Sequence, residues 1–553
     1  MTPSTIDLFI LTFNCAKNLI NVAVWAAHLK AALSARGAAG KGTGNGNALP
    51  DLVVFSVQEV APLVYSFLGP YFLNPYYARY ADALNLAAEQ LLEQADNDDY
   101  GAGGSSNGAL SQGDYPYTLV RAKNVGMTAI LLFARDPSKI TQIKEAECGF
   151  GAADMGNKGA VGLRITWSDG KDTTITTTGE PKTTELTFVA THLAAMEWNL
   201  KKRNANWHSI VSGLTFANPR EVLPKGEFPA ESREARATPD RSGAGDVAPV
   251  MPRGSSSADA NDDDADLAYG NDDDSDAQPL LSSSNSDSKS KSNNASALLQ
   301  SISIFKPSSH LFLAGDLNYR INTTTPPPLA TYPSFDPSSA NHFSNFLPRD
   351  QLTQEREAGR TMHGLSEAPI TFGPTYKYDV HPLRGEAVNE AAVKRGDKVN
   401  GIPEVPWRFA SHRWPGWCDR VLYLDVPGWV RRNKDVEVEV EVYDSLPVIE
   451  TSDHRPVFFR AKVPVLGEEE MRLPLSSPKD VRVVEEEEEW KKDPRVSIPV
   501  PVNVYAWERR AAARRKEVMV GWTAFFWSTK EGALVLATLL VMGVGSWWLL
   551  RDW

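Results

Sequence analysis

Eight short apolar runs are spread along this chain, and six of them end or begin at a polar residue able to do chemistry. Asp7–Phe13 runs into Asn14, Asp51–Val57 into Gln58-Glu59, Leu186–Ala190 into Thr191-His192, and His310–Ala314 into Gly315-Asp316-Leu317-Asn318. Arg420–Val426 follows Cys418-Asp419, and Val457–Val463 follows Ser452-Asp453-His454. Met127–Ala134 and Ala160–Trp167 are strand-like without such an ending. Runs of this length rich in Val, Ile, Leu and Phe are strand signals. Helical spacing recurs at Ala23–Ala35, Tyr77–Gln94 and Met196–Leu214. Strands interleaved with helices predict an α/β protein, two packed sheets in a sandwich flanked by helices.

Between these elements lie stretches that cannot bury enough apolar surface to offset the entropy of ordering them. Ala35–Asn47 and Asn97–Gly113 are Gly-rich, and an insertion over about 219–296 is dominated by Ser, Asp, Asn and Gly, so all three are expected to be loops or disordered. Nine aspartates and no basic residue fall between Asp259 and Asp276, which accounts for most of the formal charge of −12. The balance disfavours a non-specific nucleic-acid partner but leaves the rest of the surface free to accept a phosphorylated substrate. Three cysteines, Cys15, Cys148 and Cys418, form no disulfide framework or zinc spacing, which points to a reducing compartment.

The two ends of the chain differ. No basic segment precedes the first strand, so no signal peptide is expected. Gly532 to Leu550 is an uncharged run with Trp547 and Trp548 near one end, close to the roughly 20 residues needed to cross a bilayer. Arg509, Arg510, Arg514, Arg515 and Lys516 lie upstream. Basic residues stay on the cytosolic side, so a tail anchor at 532–550 with a cytosolic bulk is expected, the endoplasmic reticulum being the default membrane. Val518–Trp527 is too short to span and is expected in the interface. The acidic, proline-containing residues from 467, with the basic segment up to 530, are expected to form a stalk between a catalytic domain over 1–466 and the span.

Taken singly, an Asn or Glu after a strand is a turn or solvated residue. Taken together, Asn14, Glu59, His192, Asp316, Asn318, Asp419, Asp453 and His454 stand at strand ends or starts and are able to converge on one rim. Their carboxylate and amide oxygens are the hard ligands Mg²⁺ prefers, and histidines supply donors for an anionic phosphate.

The chain resembles the inositol polyphosphate 5-phosphatases of the endonuclease/exonuclease/phosphatase superfold. The resemblance rests on Thr12-Phe-Asn14, Gln58-Glu-Val60, Met155-Gly-Asn-Lys-Gly-Ala-Val161, Thr191-His-Leu193, Gly315-Asp-Leu-Asn-Tyr-Arg320, Pro374-Thr-Tyr-Lys-Tyr378, Pro415-Gly-Trp-Cys-Asp-Arg-Val-Leu422 and Ser452-Asp-His-Arg-Pro-Val457. These occur in the family's order over roughly residues 5–463.

The resemblance implies Mg²⁺-dependent removal of the 5-phosphate from a phosphoinositide such as PtdIns(4,5)P2, by direct attack of water with no phosphoenzyme. It gives Glu59 and Asn14 to the metal, Asp316 to the attacking water, and Asn318 to that water or a phosphate oxygen. His454 becomes a charged donor held by Asp419, His192 a donor to the phosphate, and Asp453 a support for the metal–water network. Asn157, Lys158, Tyr376, Lys377 and Arg413 become substrate contacts; where the family has a second lysine before the Pro-x-Trp-Cys motif, this chain has Ser411. A membrane anchor fits a lipid substrate by confining the enzyme near it. Protein partners are not legible in the sequence.

Overall fold

The computed structural model describes residues 4–35, 49–100, 115–170, 182–224, 286–380, 398–434, 436–473 and 490–551. Two compact units emerge, one formed by Met1–Val222 with Ala297–Trp553 and one by Leu223–Ser296. Most of the 219–296 insertion, most of Ala35–Asn47 and Asn97–Gly113, and the Glu485–Glu489 run lie outside the described residues. The insertion's described end is helical, as part of the helix Ser286–Ile302.

The first sheet holds β1 (Thr5–Asn14), β2 (Leu52–Gln58), β3 (Thr118–Val125), β4 (Thr128–Ala134), β15 (Glu439–Ser445) and β16 (Val457–Pro464), in the order β15-β16-β1-β2-β4-β3. The second holds β5 (Ile140–Gly149), β6 (Gly159–Ser168), β7 (Thr183–His192), β8 (Ser309–Asp316), β9 (Leu365–Ser366) and β14 (Asp419–Leu424), in the order β5-β6-β7-β8-β14-β9. Each sheet is antiparallel except for one central parallel pair, β1/β2 in the first and β7/β8 in the second. Two small ribbons, β10 (Tyr378–Asp379) with β13 (Arg408–Phe409) and β11 (Lys398–Val399) with β12 (Ile402–Pro403), stand apart from them.

Side-chain alternation along the strands sorts the core into layers. On β1, Ile6, Leu8 and Ile10 join Leu163, Leu186, Phe188 and Phe312 between the sheets. Phe9, Leu11 and Phe13 face the other way, onto α1 (Val22–Ser34) and α3 (Pro70–Tyr100), through Trp25, Leu29, Tyr80 and Leu84. The second sheet is covered likewise by α4 (Leu200–Gly213), with Trp207 and Ile210 against Leu311 and Leu313. Central strands buried on both faces read as unbroken apolar runs, which is why they are legible in the sequence. β3, β5 and β15 are half-exposed outer strands with charges such as those of Ile-Lys-Glu-Ala-Glu in β5, and they carry no such run.

The segment expected to be a stalk is packed where it is described. Trp490 meets Trp429 edge-on at 6.1 Å between ring centroids, Asn503 N–H donates to Ser212 O at 2.8 Å, and Val500 enters the core beneath α4. The helix Ala506–Ser528 buries Ala513, Glu517, Gly521 and Phe525, one every fourth residue, and so presents one face to the domain. Gly521 lies against Phe67 and Leu68 of α2 (Leu63–Leu68), and Phe525 meets Phe72 at 5.6 Å. Val518–Trp527 is thus committed on one face to protein, leaving Met519, Trp522 and Trp527 exposed on the other. Composition misses this because the packing partners lie far away in sequence. The helix Lys530–Arg551 follows; among the described residues it alone is long and apolar enough to cross a membrane, and only Gly532 in it is buried. Its 22 residues span about 33 Å at ~1.5 Å per residue, enough for a bilayer core of ~30 Å.

Candidate active site

Strand direction brings the polar termini together. β1 and β2 run parallel with Asn14 opposite Gln58, so Asn14 and Glu59 leave the first sheet on the same edge. β7 and β8 run parallel with His192 opposite Asp316, at the corresponding edge of the second. The neighbouring strands are antiparallel and begin where these end: Asp419 pairs with Asp316, Gly159 with His192, and Val457 with Thr12. The turn carrying Lys158 and the loop carrying His454 therefore sit on the same rim.

Direct contacts close the cluster. Asn14 Nδ2 donates to Asp316 Oδ2 at 3.1 Å, and the same oxygen lies 3.3 Å from His192 Nε2 and 3.9 Å from His454 Nε2. His454 Nδ1 lies 2.8 Å from Asp419 Oδ2, which also accepts from Thr375 Oγ1 at 2.8 Å. Lys158 Nζ is 2.7 Å from His192 Nε2. Asn318, with a left-handed φ of 56°, donates its backbone N–H to Asp316 Oδ1 at 3.1 Å and its amide Nδ2 to Leu193 O at 3.3 Å. Asn14, His192, Asp316, Asn318, Asp419 and His454 are all buried.

Charge follows from these contacts. Burial works against a charged His454, but the carboxylates of Asp419 and Asp316 outweigh it and push the imidazole up to about 9. Burial acts on Asp419 the other way and raises it to about 6, so at neutral pH the two form an ion pair. Asp316 is also opposed by burial, yet the charged His454 imidazole and the Lys158 ammonium hold it well below the usual carboxylate range. Burial and the Lys158 ammonium lower His192. His192 is therefore neutral, with Nε2 turned to Lys158 and Asp316 and a buried Nδ1 without a hydrogen-bond partner.

The remaining predicted residues surround this centre. Glu59 is half-buried with a left-handed φ of 49° that turns it off the strand end; Lys17 Nζ lies 3.8 Å from its carboxylate, and its charge is felt at His192. Tyr376 lies against His454 with ring centroids 4.7 Å apart. Asp453 pairs with Lys377 at 3.2 Å, so an acid expected to support the metal–water network meets a lysine expected to contact the substrate. Asn157 lies in the turn before β6, its Oδ1 buried and without a hydrogen-bond partner. Arg413 is held by Glu197 at 3.8 Å and by Met196 Sδ at 3.4 Å and, among the described residues, makes no contact with the central cluster.

The endonuclease/exonuclease/phosphatase family 2 pattern matches residues 11–240 and 278–460, most of the chain. The chain belongs to that family. Among curated relatives of this family member, the type II inositol polyphosphate 5-phosphatase 15 of Arabidopsis thaliana is 25% identical over 314 residues, covering 56% of this chain and 20% of that protein. The phosphatidylinositol 3,4,5-trisphosphate 5-phosphatase 1 of Homo sapiens is 29% identical over 160 residues, 29% of this chain and 11% of that one. The chain thus spans a fifth or less of the length of these relatives. A crystal structure of the inositol polyphosphate 5-phosphatase domain of SPsynaptojanin, with inositol (1,4)-bisphosphate and calcium ion, is 19% identical with a TM-score of 0.44, covering 88% of this chain and 92% of that chain.

Two residues of this family member's site carry no role in the sequence reading. Thr375 holds Asp419 through both its hydroxyl and the Asp419 backbone N–H. Arg320 donates through Nε to Asn318 O at 3.0 Å and through Nη2 to the Asn318 side-chain oxygen, and lies over the Tyr376 ring at 4.3 Å. Both stand inside motifs quoted above, which was the available signal; their partners are set by the fold. Cys418 is buried, and burial pushes its thiol far above the ordinary value, as suits a packing residue.

Proposed function

We propose that this chain removes the 5-phosphate of an inositol phosphate headgroup by direct attack of water, with PtdIns(4,5)P2 or a related lipid as substrate. The observation that carries the reading is the shared Asp316 carboxylate. Asn14, His192 and His454 from three other segments converge on it, with Lys158 one contact away. An ionised carboxylate beside a cationic imidazole is suited to orient a water and to bind the phosphate that it attacks.

In this reading the charged His454 donates Nε2–H to a phosphoryl oxygen while Asp419 holds its other nitrogen, and Thr375 fixes Asp419. Asp316 orients the water and takes its proton as the new phosphorus–oxygen bond forms and the bond from phosphorus to the inositol 5-oxygen breaks; the departing oxygen takes a proton from solvent and leaves as the free hydroxyl. Asn318, clamped by Arg320, presents its amide to the same oxygens. Lys158, Asn157, Tyr376, Lys377 and Arg413 hold the headgroup. Lys377 is paired with Asp453 and lies 5.7 Å from the Tyr376 ring.

A divalent metal, Mg²⁺ in this reading, is held by Glu59 with Asn14 beside it. The donor set fits: one half-buried carboxylate at the rim, and an amide oxygen that accepts only the Ala16 N–H at 3.1 Å and so keeps a lone pair for a metal-bound water. When bound, the ion supplies Lewis-acid polarisation of the phosphate and stabilisation of the leaving oxygen. Asp316, Asp419 and His454 also place ligand atoms within 4.8 Å of one another. We assign that trio to the charge relay, because an imidazolium engaged with Asp419 has no lone pair to offer a cation.

The same proposal divides the chain into a catalytic domain over 1–466 and a tail anchor over 532–550, with the domain on the cytosolic side of the endoplasmic reticulum. The test is phosphate release by the full chain in lipid vesicles containing each phosphoinositide in turn, with Mg²⁺ or with EDTA. Asp316→Ala and His454→Ala abolish turnover while the thermal melt is retained. Turnover at wild-type rate in both variants, or phosphocholine release from sphingomyelin in place of phosphate, refutes the assignment.

A further inference from the structure

We propose that Glu517, on the helix that leads into the apolar span, is a positioning residue for the turn that carries Lys158. The proposal deepens the reading above, since it takes Lys158 as a substrate contact. Glu517 is the one charged member of the buried stripe Ala513, Glu517, Gly521 and Phe525, and it is fully buried. A buried carboxylate is costly unless its oxygens are paired. Two of its partners, Arg510 and Arg514, come from the same helix, and Arg510 also reaches Glu147 on β5 at 2.8 Å. Those pairs explain docking. They do not explain the remaining contact: Glu517 Oε1 accepts the backbone N–H of Gly156 at 2.8 Å.

Gly156 stands two residues before Lys158 and is itself buried. Its carbonyl accepts Met127 N–H at 3.3 Å, and a side chain at Gly126 would meet that carbonyl oxygen at 1.7 Å. The turn is closed by Phe150 N–H to Lys158 O at 2.9 Å and Gly151 N–H to Met155 O at 2.8 Å. One face of Gly156 is thus fixed by the first sheet, and Glu517 is the acceptor on the other. Without Glu517 the Gly156 N–H is buried and unsatisfied, so the turn must shift to recover a partner, carrying Lys158 away from His192. The path from the apolar span to the substrate-binding lysine is one helix and one hydrogen bond.

The test compares Glu517→Ala, Glu517→Gln and Arg514→Ala in the full chain, assayed on vesicles and on soluble inositol 1,4,5-trisphosphate. Hydrogen exchange is followed over 150–159. In Glu517→Ala, KM for the soluble substrate rises about tenfold, the equivalent of one buried donor left unpaired, while kcat stays within about threefold. Exchange at Gly156 quickens. Glu517→Gln keeps an acceptor and returns KM to near the wild-type value. Arg514→Ala removes the bond to Phe67 O at 2.8 Å and so weakens docking, but it spares the Gly156 contact and leaves KM unchanged. Should Glu517→Ala fail to accumulate, Glu517→Asp withdraws the acceptor by one methylene and carries the same expectation, several-fold in KM. Wild-type KM and wild-type exchange in the variant that folds overturn the proposal, as does an equal rise in KM for Arg514→Ala. A wild-type protein that releases no phosphate refutes the 5-phosphatase reading instead, and the exchange comparison still decides the role of Glu517.

Discussion

Replacing Asp419 with Asn separates charge from shape at the centre of the site. The amide keeps an oxygen where Oδ2 now accepts from His454 Nδ1 at 2.8 Å, and it keeps the size that Thr375 packs against. What it removes is the carboxylate that contributes most to stabilising the imidazolium. In the wild type those groups lift His454 from 6.5 to about 9 against the opposing effect of burial. At 1.36 kcal/mol for each tenfold that rise is worth about 3 kcal/mol, and Asp419 supplies the largest part. With Asn in place, burial pulls the imidazole back toward or below its ordinary value, and most molecules at pH 7 carry a neutral ring. Loss of a preorganised charged donor of this kind costs on the order of 10²–10³ in kcat. The assay is phosphate release from soluble inositol 1,4,5-trisphosphate between pH 5.5 and 10. Wild-type kcat is expected to fall as pH rises through about 9, where the imidazolium is lost. In Asp419→Asn that alkaline fall moves below neutrality and KM changes little. An unmoved alkaline fall, with kcat within tenfold of wild type at pH 7, would refute the claim that Asp419 keeps His454 charged.

Three further outcomes are expected. Asp7→Ala strips Arg460, which is fully buried, of its bidentate partner at 2.6 and 2.9 Å while Glu441 stays at 3.3 Å, and should cost about 3 kcal/mol, the low end for a broken buried pair, in chemical denaturation with activity per folded molecule unchanged. Burial opposes the ionised Asp7, but Arg460 and Lys462 hold its carboxyl below 3.8, so this stabilisation is present above that pH and disappears as pH falls through the lowered value. Gly126→Ala places a side chain at a φ of +51° and 1.7 Å from the Gly156 carbonyl oxygen, so thermal melts should show a loss of at least about 1–2 kcal/mol, with a raised KM from the displaced turn. Under the proposed metal assignment, Glu59→Gln takes away the carboxylate charge that would hold the ion and should raise the half-saturating Mg²⁺ concentration by more than about tenfold, read from the metal dependence of phosphate release.

Much of the candidate cluster was legible because its polar side chains stand at strand ends. Asn14, Glu59, His192 and Asp316 each follow an apolar run, and the run is readable because the strand is covered on both faces. Outer strands gave no such sign: β5 mixes Lys144, Glu145 and Glu147 into a half-exposed face, and composition alone cannot tell it from a loop. Roles that depend on a partner were equally hidden. Nothing near Asp453 in sequence announces Lys377, and nothing around Glu517 announces Gly156, which lies 361 residues away.

The amino-acid order by itself determined which segments become buried strands, which side chains terminate them, and that the C-terminal run is apolar over a bilayer's thickness. Those are local properties of side-chain hydrophobicity and spacing. Only the tertiary structure decided that two parallel pairs in separate sheets point their ends at one rim, that burial and the Lys158 ammonium leave His192 neutral, and that the helix before the span rests on the domain. Each of these depends on which groups from distant segments share a low-dielectric contact, and that is settled when the sheets close on each other.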